Sequence, residues 1–177
     1  MSKKILAIIS SPRVGSNSEM LVDSFIRGAE EAGHAVEKLV LRGKKIAPCL
    51  GCEACLKNGG VCVQKDDMAE INHQIIESDV IVLSTPTYYY SISAQLKLVT
   101  DRTLANQGKM KDKVFYFIVT AADGEEAMET VIADLNGFVA CVPGSVVRGE
   151  VRGSAFARRE IAGSPALERA YLLGKEC

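Results

Sequence analysis

Four cysteines lie in one short run with the spacing C-x2-C-x2-C-x6-C, at Cys49, Cys52, Cys55 and Cys62. Thiolates are the ligands that iron–sulfur clusters and zinc prefer. Ferredoxin-type motifs share the leading C-x2-C-x2-C, and the fourth cysteine here follows a Gly-Gly turn, so all four would bind one cluster. Zinc sites typically use two well-separated C-x2–4-C pairs, and free thiols or one redox-active C-x-x-C pair are a third alternative. The spacing favours a [4Fe–4S] cluster and leaves zinc and free thiols open.

A second polar group, residues 10–18, follows a short apolar run and precedes an amphipathic segment. It offers hydroxyl groups, the guanidinium of Arg13, the flexible Gly15 and the free N–H groups of a helix start, all of which suit a phosphate. The segment is not a G-x-G-x-x-G motif and lacks the lysine of a P-loop. It therefore indicates a ligand with a single phosphate, and a Ser/Asn-rich connector that caps a helix is the alternative.

The elements that position these groups alternate between strand and helix. Short apolar runs predict five strands, over residues 4–10, 35–41, 80–84, 114–120 and 139–147. Helical periodicity predicts helices from residue 17 or 18 to 33, from 66 onward, and over 93–104, 125–135 and 165–173. This alternation predicts an α/β fold in which helices cover both faces of a parallel sheet. Periodicity alone leaves the dinucleotide-type and flavodoxin-type strand orders open.

Two loop motifs resemble the flavodoxin-like NAD(P)H-dependent FMN reductases. They are Ser11-Pro12-Arg13 with Asn17-Ser18, and residues 85–97 followed by Asp101-Arg102; the likeness runs from residue 4 to 102 and weakens toward 135. The resemblance implies a flavodoxin-like three-layer sandwich, with a five-stranded parallel sheet in the order 2-1-3-4-5. It also implies bound FMN, and the loop after the fourth strand should border the flavin ring by its position. The expected cofactor-binding residues are Ser11, Arg13, Ser16, Asn17, Ser18, Pro86, Thr87, Tyr88, Tyr89, Ser91, Ala121 and Asp123.

One position departs from that family: Tyr90 stands where a small residue, often glycine, is common. The cysteine run and the trailing Asp66-Asp67-Met68 are similar to the iron–sulfur flavoprotein subgroup. This resemblance implies that the four cysteines hold a [4Fe–4S] cluster near an FMN, either that of the same chain or one across a subunit interface.

A flavin beside a cluster would convert between two-electron and one-electron transfer, so the expected function is that of an FMN-dependent oxidoreductase or electron-transfer flavoprotein. The resemblance implies NAD(P)H or ferredoxin as donor, and a quinone, an oxygen species or a small organic molecule as acceptor. One alternative is a cluster-free NAD(P)H-dependent FMN or quinone reductase. Another is a non-enzymatic binding module stabilised by zinc.

The remaining expectations concern the whole chain. We predict one flavodoxin-like domain over residues 1–177, with a cysteine-rich insertion at about 43–65. The net charge of −1 argues against a nucleic-acid partner, and no apolar run approaches the roughly 18 residues that span a bilayer. We therefore expect a cytoplasmic protein without a membrane partner, and the resemblance implies a homodimer or homotetramer. No acid–base triad is visible, so no catalytic side chain is assigned. Cys141 is expected in the core, and Arg158-Arg159-Glu160 are expected to be solvated surface charges.

Overall fold

A sheet of five parallel strands forms the centre of the protein, which the computed structural model describes over residues 2–106 and 108–177. The strands are β1 Lys4–Ile9, β2 Ala35–Val40, β3 Val80–Pro86, β4 Val114–Ala121 and β5 Val146–Ser154. Their order across the sheet is β2-β1-β3-β4-β5, and each neighbouring pair is parallel. This order confirms the flavodoxin-like arrangement and decides against the dinucleotide-type alternative.

Helices cover both faces of the sheet. On one face lie α1 Asn17–Glu31 and α6 Pro165–Lys175; on the other lie α3 Met68–Glu77, α4 Ala94–Arg102 and α5 Glu126–Ala140. The short α2 Ala54–Lys57 belongs to the cysteine-rich segment, and a 3₁₀ turn, Thr103–Asn106, follows α4. Successive strand side chains point to opposite faces, so β1 contributes Ile5 and Ile9 to one core and Leu6 and Ile8 to the other.

Helices α1 and α6 approach each other closely at two glycines. A Cβ atom on Gly28 of α1 would overlap the carbonyl oxygen of Tyr171 and lie 3.0 Å from the amide nitrogen of Lys175. A Cβ atom on Gly174 of α6 would likewise overlap the carbonyl oxygen of Phe25. The two helices therefore pack backbone against backbone, and neither position has room for a methyl group.

The fifth strand lies later in the chain than the sequence predicts. The prediction over residues 139–147 is wrong: α5 continues to Ala140, a turn follows, and β5 begins only at Val146. β5 is an edge strand in which only Val151 and Gly153 are buried, so the continuous apolar run that marks a fully buried strand is missing. Gly149 and Gly153 look like breakers in the sequence, yet they leave space in the sheet for Leu173 and Ile161.

Cys141 caps the end of α5 and is exposed, so the expectation that it is a core residue is wrong. Within the described ranges, no helix combines the length and the apolar character that crossing a bilayer requires.

Candidate functional site

A cleft of about 350 Å³ opens at the carboxyl ends of β1, β3, β4 and β5. The strand order reverses between β1 and β3, and in open parallel sheets ligands bind at that reversal. Four loops supply the lining side chains: Ser11, Arg13, Ser16, Asn17 and Ser18; Pro86, Thr87 and Tyr88; Thr120, Ala121 and Ala122; and Ala155, Phe156 and Arg158.

The loop between β1 and α1 is built around the start of the helix. Ser16 caps α1 by accepting a hydrogen bond from the Glu19 N–H at 3.1 Å, and its hydroxyl lies 3.1 Å from that of Ser18. Gly15 has a φ of 60°, a left-handed conformation that glycine adopts without steric cost. The N-terminus of α1 and the guanidinium of Arg13 therefore face the same end of the cleft, an arrangement that suits an anion.

The carboxylate of Glu19 holds this loop in place. It accepts the Gly15 N–H at 2.9 Å and lies 3.3 Å from Lys38 Nζ and 3.8 Å from Arg42 Nη1. Burial raises the pKa of Glu19, but the Gly15 N–H and the two cations outweigh burial, so the net pKa is lowered. The carboxylate is therefore held ionised, and Glu19 is not among the residues that line the cleft.

A chain of buried hydroxyl groups connects the strand ends that carry the cleft loops. The hydroxyl of Ser10 donates to the carbonyl of Ser84 at 2.8 Å, and the hydroxyl of Ser93 donates to that of Ser10 at 2.8 Å. The Ser93 N–H donates to Thr85 Oγ1 at 2.9 Å. These bonds join the ends of β1 and β3 to the start of α4, so the strand ends that carry the loops have fixed positions.

The loop after β3 contains a tight turn with two tyrosines at its tip. Tyr88 and Ser91 pair through both backbone groups, and between them Tyr89 and Tyr90 have φ values of 49° and 60°. Two-residue turns of this kind normally use glycine or asparagine, so the Tyr-Tyr pair carries backbone strain. Hydrogen bonds from Thr130 to the Tyr90 carbonyl and from Ser91 to Asp134 tie the turn to α5. The turn is thus fixed to α5, and Tyr89 at its tip is fully exposed.

A second cavity, of about 320 Å³, adjoins the cleft and shares four residues with it: Thr87, Tyr88, Ala121 and Ala122. Tyr89, Tyr90, Asp123 and Ala127 complete its lining. The Thr87 N–H donates to the Thr120 carbonyl at 2.7 Å, while the described residues give its buried hydroxyl no hydrogen-bond partner. An unpaired buried hydroxyl costs roughly 1–3 kcal/mol, so a polar ligand in the cleft would satisfy it.

The loop between β5 and α6 also reaches the cleft, although sequence reasoning assigned it no role. The side chain of Asn17 holds this loop: its Nδ2 donates to the Ala157 carbonyl at 2.8 Å, and its Oδ1 accepts the Ile161 N–H at 3.4 Å. Arg158 and Phe156 then line the cleft. The misplaced fifth strand hid this contribution, because a strand ending at Ser154 would have put residues 155–158 at the carboxyl edge of the sheet.

The predicted cofactor residues fall into three groups. Nine line the cleft: Ser11, Arg13, Ser16, Asn17, Ser18, Pro86, Thr87, Tyr88 and Ala121. Tyr89 and Asp123 line the adjoining cavity. Ser91 lies outside both cavities and instead fixes the tyrosine turn.

The cysteine-rich segment connects β2 to α3 and packs against the 3₁₀ turn after α4. Cys49 and Cys52 are exposed, whereas Cys55 and Cys62 are half-buried. Across residues 2–106 and 108–177, no three or more Cys, His, Asp or Glu side chains are grouped closely enough to hold one metal ion. The structure therefore does not gather the four predicted ligands around one point.

Arg102, the last residue of α4, ties the two ends of this segment together. Its Nη1 donates to the Ala47 carbonyl at 2.7 Å and to Asp66 at 2.8 Å, and its Nη2 donates to Asp66 at 3.0 Å and to Cys62 Sγ at 3.4 Å. Only 3% of Arg102 is exposed. Its hydrogen bond is the main reason that the pKa of Asp66 is lowered. This buried fork was not foreseen, since the sequence gives no sign of what the Arg102 side chain reaches.

The donor set nevertheless fits an iron–sulfur cluster in its chemistry. Four thiols are available on one segment, and the Cys62 sulfur already accepts an N–H of Arg102, the kind of hydrogen bond that tunes cluster sulfurs. Helix α2, which carries Cys55, buries none of its residues. A movement of Cys55 toward the other sulfur atoms would therefore cost no core contacts of α2.

Known proteins agree with this architecture. The family model described as NADPH-dependent FMN reductase matches residues 3–156. An iron-sulfur flavoprotein of Archaeoglobus fulgidus is 41% identical over 101 residues; the match covers 57% of this chain and only 46% of that protein. Another, from Methanocaldococcus jannaschii, is 34% identical over 137 residues, which are 76% of this chain and 70% of that protein.

Among solved structures, the NAD(P)H:quinone oxidoreductase from Methanothermobacter marburgensis superimposes with a TM-score of 0.79 over 99% of this chain and 96% of that one. Its sequence identity of 18% supports the fold alone. The sequence matches, by contrast, confirm both the predicted family and the predicted subgroup. The chain therefore belongs to the NADPH-dependent FMN reductase family of FMN-dependent oxidoreductases, among the iron–sulfur flavoproteins.

Proposed function

We propose that this oxidoreductase binds FMN in the cleft and exchanges electrons between the flavin and an iron–sulfur cluster on Cys49, Cys52, Cys55 and Cys62. The cleft is the observation that carries the flavin half. One end presents Arg13 and the start of α1, and the other presents the unpaired hydroxyl of Thr87 beside the ring of Tyr88. A monophosphate needs cations and N–H donors, and a flavin ring needs a flat wall with a few polar partners.

Each part of the site has a defined task in this proposal. Arg13 and the N–H groups at the start of α1 hold the phosphate. Tyr88 and the loop after β4 orient the ring and keep water from one side of it. Bound FMN supplies the ability to accept a hydride and to release electrons singly. No ionisable side chain of the protein is asked to transfer a proton.

Helix α4 supports the pairing of the two centres, because it joins them physically. It begins after its cap Ser93, whose hydroxyl donates to Ser10 at the end of β1, and it ends at Arg102, which contacts Cys62. The helix contains 9 residues, so at 1.5 Å per residue it is about 13 Å long. A flavin in the cleft and a cluster on the cysteine segment would therefore be neighbours within one chain.

The proposal is tested by the iron, zinc and flavin content and the visible spectrum of protein prepared anaerobically. We expect one flavin per chain, iron in proportion to a four-iron cluster, and broad absorbance beyond the flavin bands. A preparation that contains flavin but no iron would support FMN binding and contradict the proposed cluster. That result, with brisk NAD(P)H oxidation, would favour the cluster-free FMN or quinone reductase, which the open arrangement of the cysteines supports.

A colourless protein that contains zinc and ignores added FMN would instead indicate the binding module. This outcome would contradict both halves of the proposal at once.

Arg13→Ala tests the phosphate end of the cleft. Loss of a charge-assisted contact should weaken FMN binding by about 1.5–3 kcal/mol. Titration of the flavin-free protein, followed by quenching of flavin fluorescence, measures this change. Arg148→Ala removes an exposed arginine of β5 that does not line the cleft and serves as the control. Unchanged FMN affinity in Arg13→Ala would remove Arg13 from the site.

A further inference from the structure

The loop between β5 and α6, residues 155–164, lies against the loop between β1 and α1. Most of it falls beyond residue 156, where the match to the family ends. Two hydrogen bonds from the side chain of Asn17, to Ala157 and to Ile161, fasten it to the first residue of α1. These bonds bridge 140 and 144 residues of sequence. The loop is thus a fixed part of the cleft wall.

This attachment places Arg158 over the anion-binding end of the cleft. A Cβ atom built on Gly15 would lie 3.5 Å from Arg158 Nη2 and 4.0 Å from Arg159 Nε, so both guanidinium groups lie beside the loop at the point where it has no side chain. Arg158 also lines the same cleft as Arg13. Arg13 and Arg158 belong to different loops and both line the cleft, and Arg158 lies against the loop that leads into α1.

The charges around these two arginines leave them available to an anion. In the described part of the chain, neither Arg13 nor Arg158 forms an ion pair. The nearby carboxylates have other partners: Glu19 accepts the Gly15 N–H and pairs with Lys38, and Glu160 accepts the Ala157 N–H at 2.6 Å. The cleft thus presents an excess of positive charge at one end.

We propose that Arg158 is a second ligand of the cofactor phosphate, and that Asn17 is a positioning residue that holds Arg158 in place. The proposal rests on the binding of FMN in the cleft. A phosphate monoester carries a charge of about −1.5 to −2 near neutral pH, which two guanidinium groups balance. Guanidinium forks also match the geometry of phosphate oxygens. The pair makes the cleft selective for the phosphorylated flavin over riboflavin.

The test compares FMN with riboflavin, which has the same ring and lacks the phosphate. Flavin-free wild type, Arg158→Ala and the control Arg148→Ala are titrated with each ligand. In Arg158→Ala we expect FMN affinity to fall about tenfold or more, a step of 1.4 kcal/mol, and riboflavin affinity to stay unchanged. Equal affinity changes for the two flavins, or no change for either, would overturn the proposal.

Asn17 is tested through its coupling to Arg158. Asn17→Ala should lower the FMN-to-riboflavin selectivity, and adding Asn17→Ala to Arg158→Ala should lower it no further. Such non-additivity is the sign of two residues that act through one contact. Additive losses would show that Asn17 acts independently and would refute its positioning role.

A nicotinamide cofactor with a 2′-phosphate carries the same phosphate monoester chemistry. The KM values of Arg158→Ala for NADPH and NADH separate the two sources. A rise for NADPH alone, with FMN affinity intact, would assign Arg158 to the dinucleotide and overturn the proposal. Failure of the wild type to bind FMN would instead sink the proposed function, so the two failures are distinguishable.

Discussion

Replacement of Gly28 by alanine tests whether the contact between α1 and α6 is as close as described. The new Cβ would overlap the Tyr171 carbonyl oxygen and lie 3.0 Å from both the carbonyl carbon of Tyr171 and the amide nitrogen of Lys175. Its neighbours are backbone atoms, so no side chain can turn aside. The two helices would have to separate, and with them the apolar contacts of Ala170 and Leu173 on α6.

The size of the effect follows from two opposing contributions. Alanine is favoured over glycine in a helix interior by about 0.8–1.0 kcal/mol, whereas overpacking of a core costs about 1–3 kcal/mol and occasionally more. Because backbone atoms cannot yield, we place the overlap near the upper end, about 3 kcal/mol. The net expectation for Gly28→Ala is a loss of about 2 kcal/mol in the free energy of unfolding.

Gly137→Ala is the matched control, since Gly137 lies within α5 and has no atom within 4 Å of a Cβ built on it. It should gain about 0.5–1 kcal/mol. Urea unfolding of wild type and both variants, followed by circular dichroism without added flavin, measures the difference, which should be about 3 kcal/mol. If Gly28→Ala is as stable as Gly137→Ala, the helices do not pack backbone against backbone and the reasoning fails.

Three further substitutions probe other parts of the fold. Glu19→Gln should lower the free energy of unfolding at pH 7 by about 1 kcal/mol. Because the pKa of Glu19 is lowered in the folded state, the stabilisation that its carboxylate provides is present above pH 4.5 and is lost as the pH falls through the lowered pKa. The gap between wild type and Glu19→Gln in urea unfolding should therefore close in acid, and a constant gap would contradict the assignment. Asp66→Asn leaves the buried guanidinium of Arg102 without its counter-charge and should lower the free energy of unfolding by about 3 kcal/mol. The control Asp67→Asn alters only the hydrogen bond that Asp67 accepts from the Lys45 N–H and should lower it by about 1 kcal/mol or less. Similar melting temperatures for the two variants would contradict the buried ion pair of Arg102 and Asp66. Tyr90→Gly removes the steric penalty of a left-handed non-glycine residue, about 1 kcal/mol, but it also gives the unfolded chain greater conformational freedom. The two effects offset each other, so the melting temperature should not fall; a clear fall would mean that the Tyr90 ring stabilises the fold.

The fold was predictable where burial is strong and local. Strands β1, β3 and β4 are nearly continuous apolar runs, because helices cover both of their faces, and their predicted positions agree with the structure to within two residues. The edge strand β5 was misplaced because one of its sides has no neighbouring strand, so charged residues alternate with apolar ones along it. Strand order came from resemblance to a family, since periodicity is blind to which strands are neighbours.

The site was predictable to the extent that loops follow strands. Five residues between Ser11 and Ser18, and the three residues 86–88, line the cleft because each group lies at or just after the end of a strand that the sequence marks clearly. What sequence reasoning missed depends on contacts between distant segments. Arg102 reaches Cys62 across 40 residues, and Asn17 reaches Ala157 across 140. No local pattern encodes such pairs, because their partners are decided only by the folded arrangement.

The hydrogen bond between Asn17 and Ile161 can form only late in the synthesis of the chain on the ribosome. The two residues are 144 positions apart, and chains grow at about 5–20 residues per second, so roughly 7–30 s separate their synthesis. During that time the loop between β1 and α1 lacks its contacts with the loop between β5 and α6, and α1 lacks its contacts with α6. The hydrogen bonds that fasten the loop between β5 and α6 to the first residue of α1 therefore form only after nearly the whole chain has been synthesised.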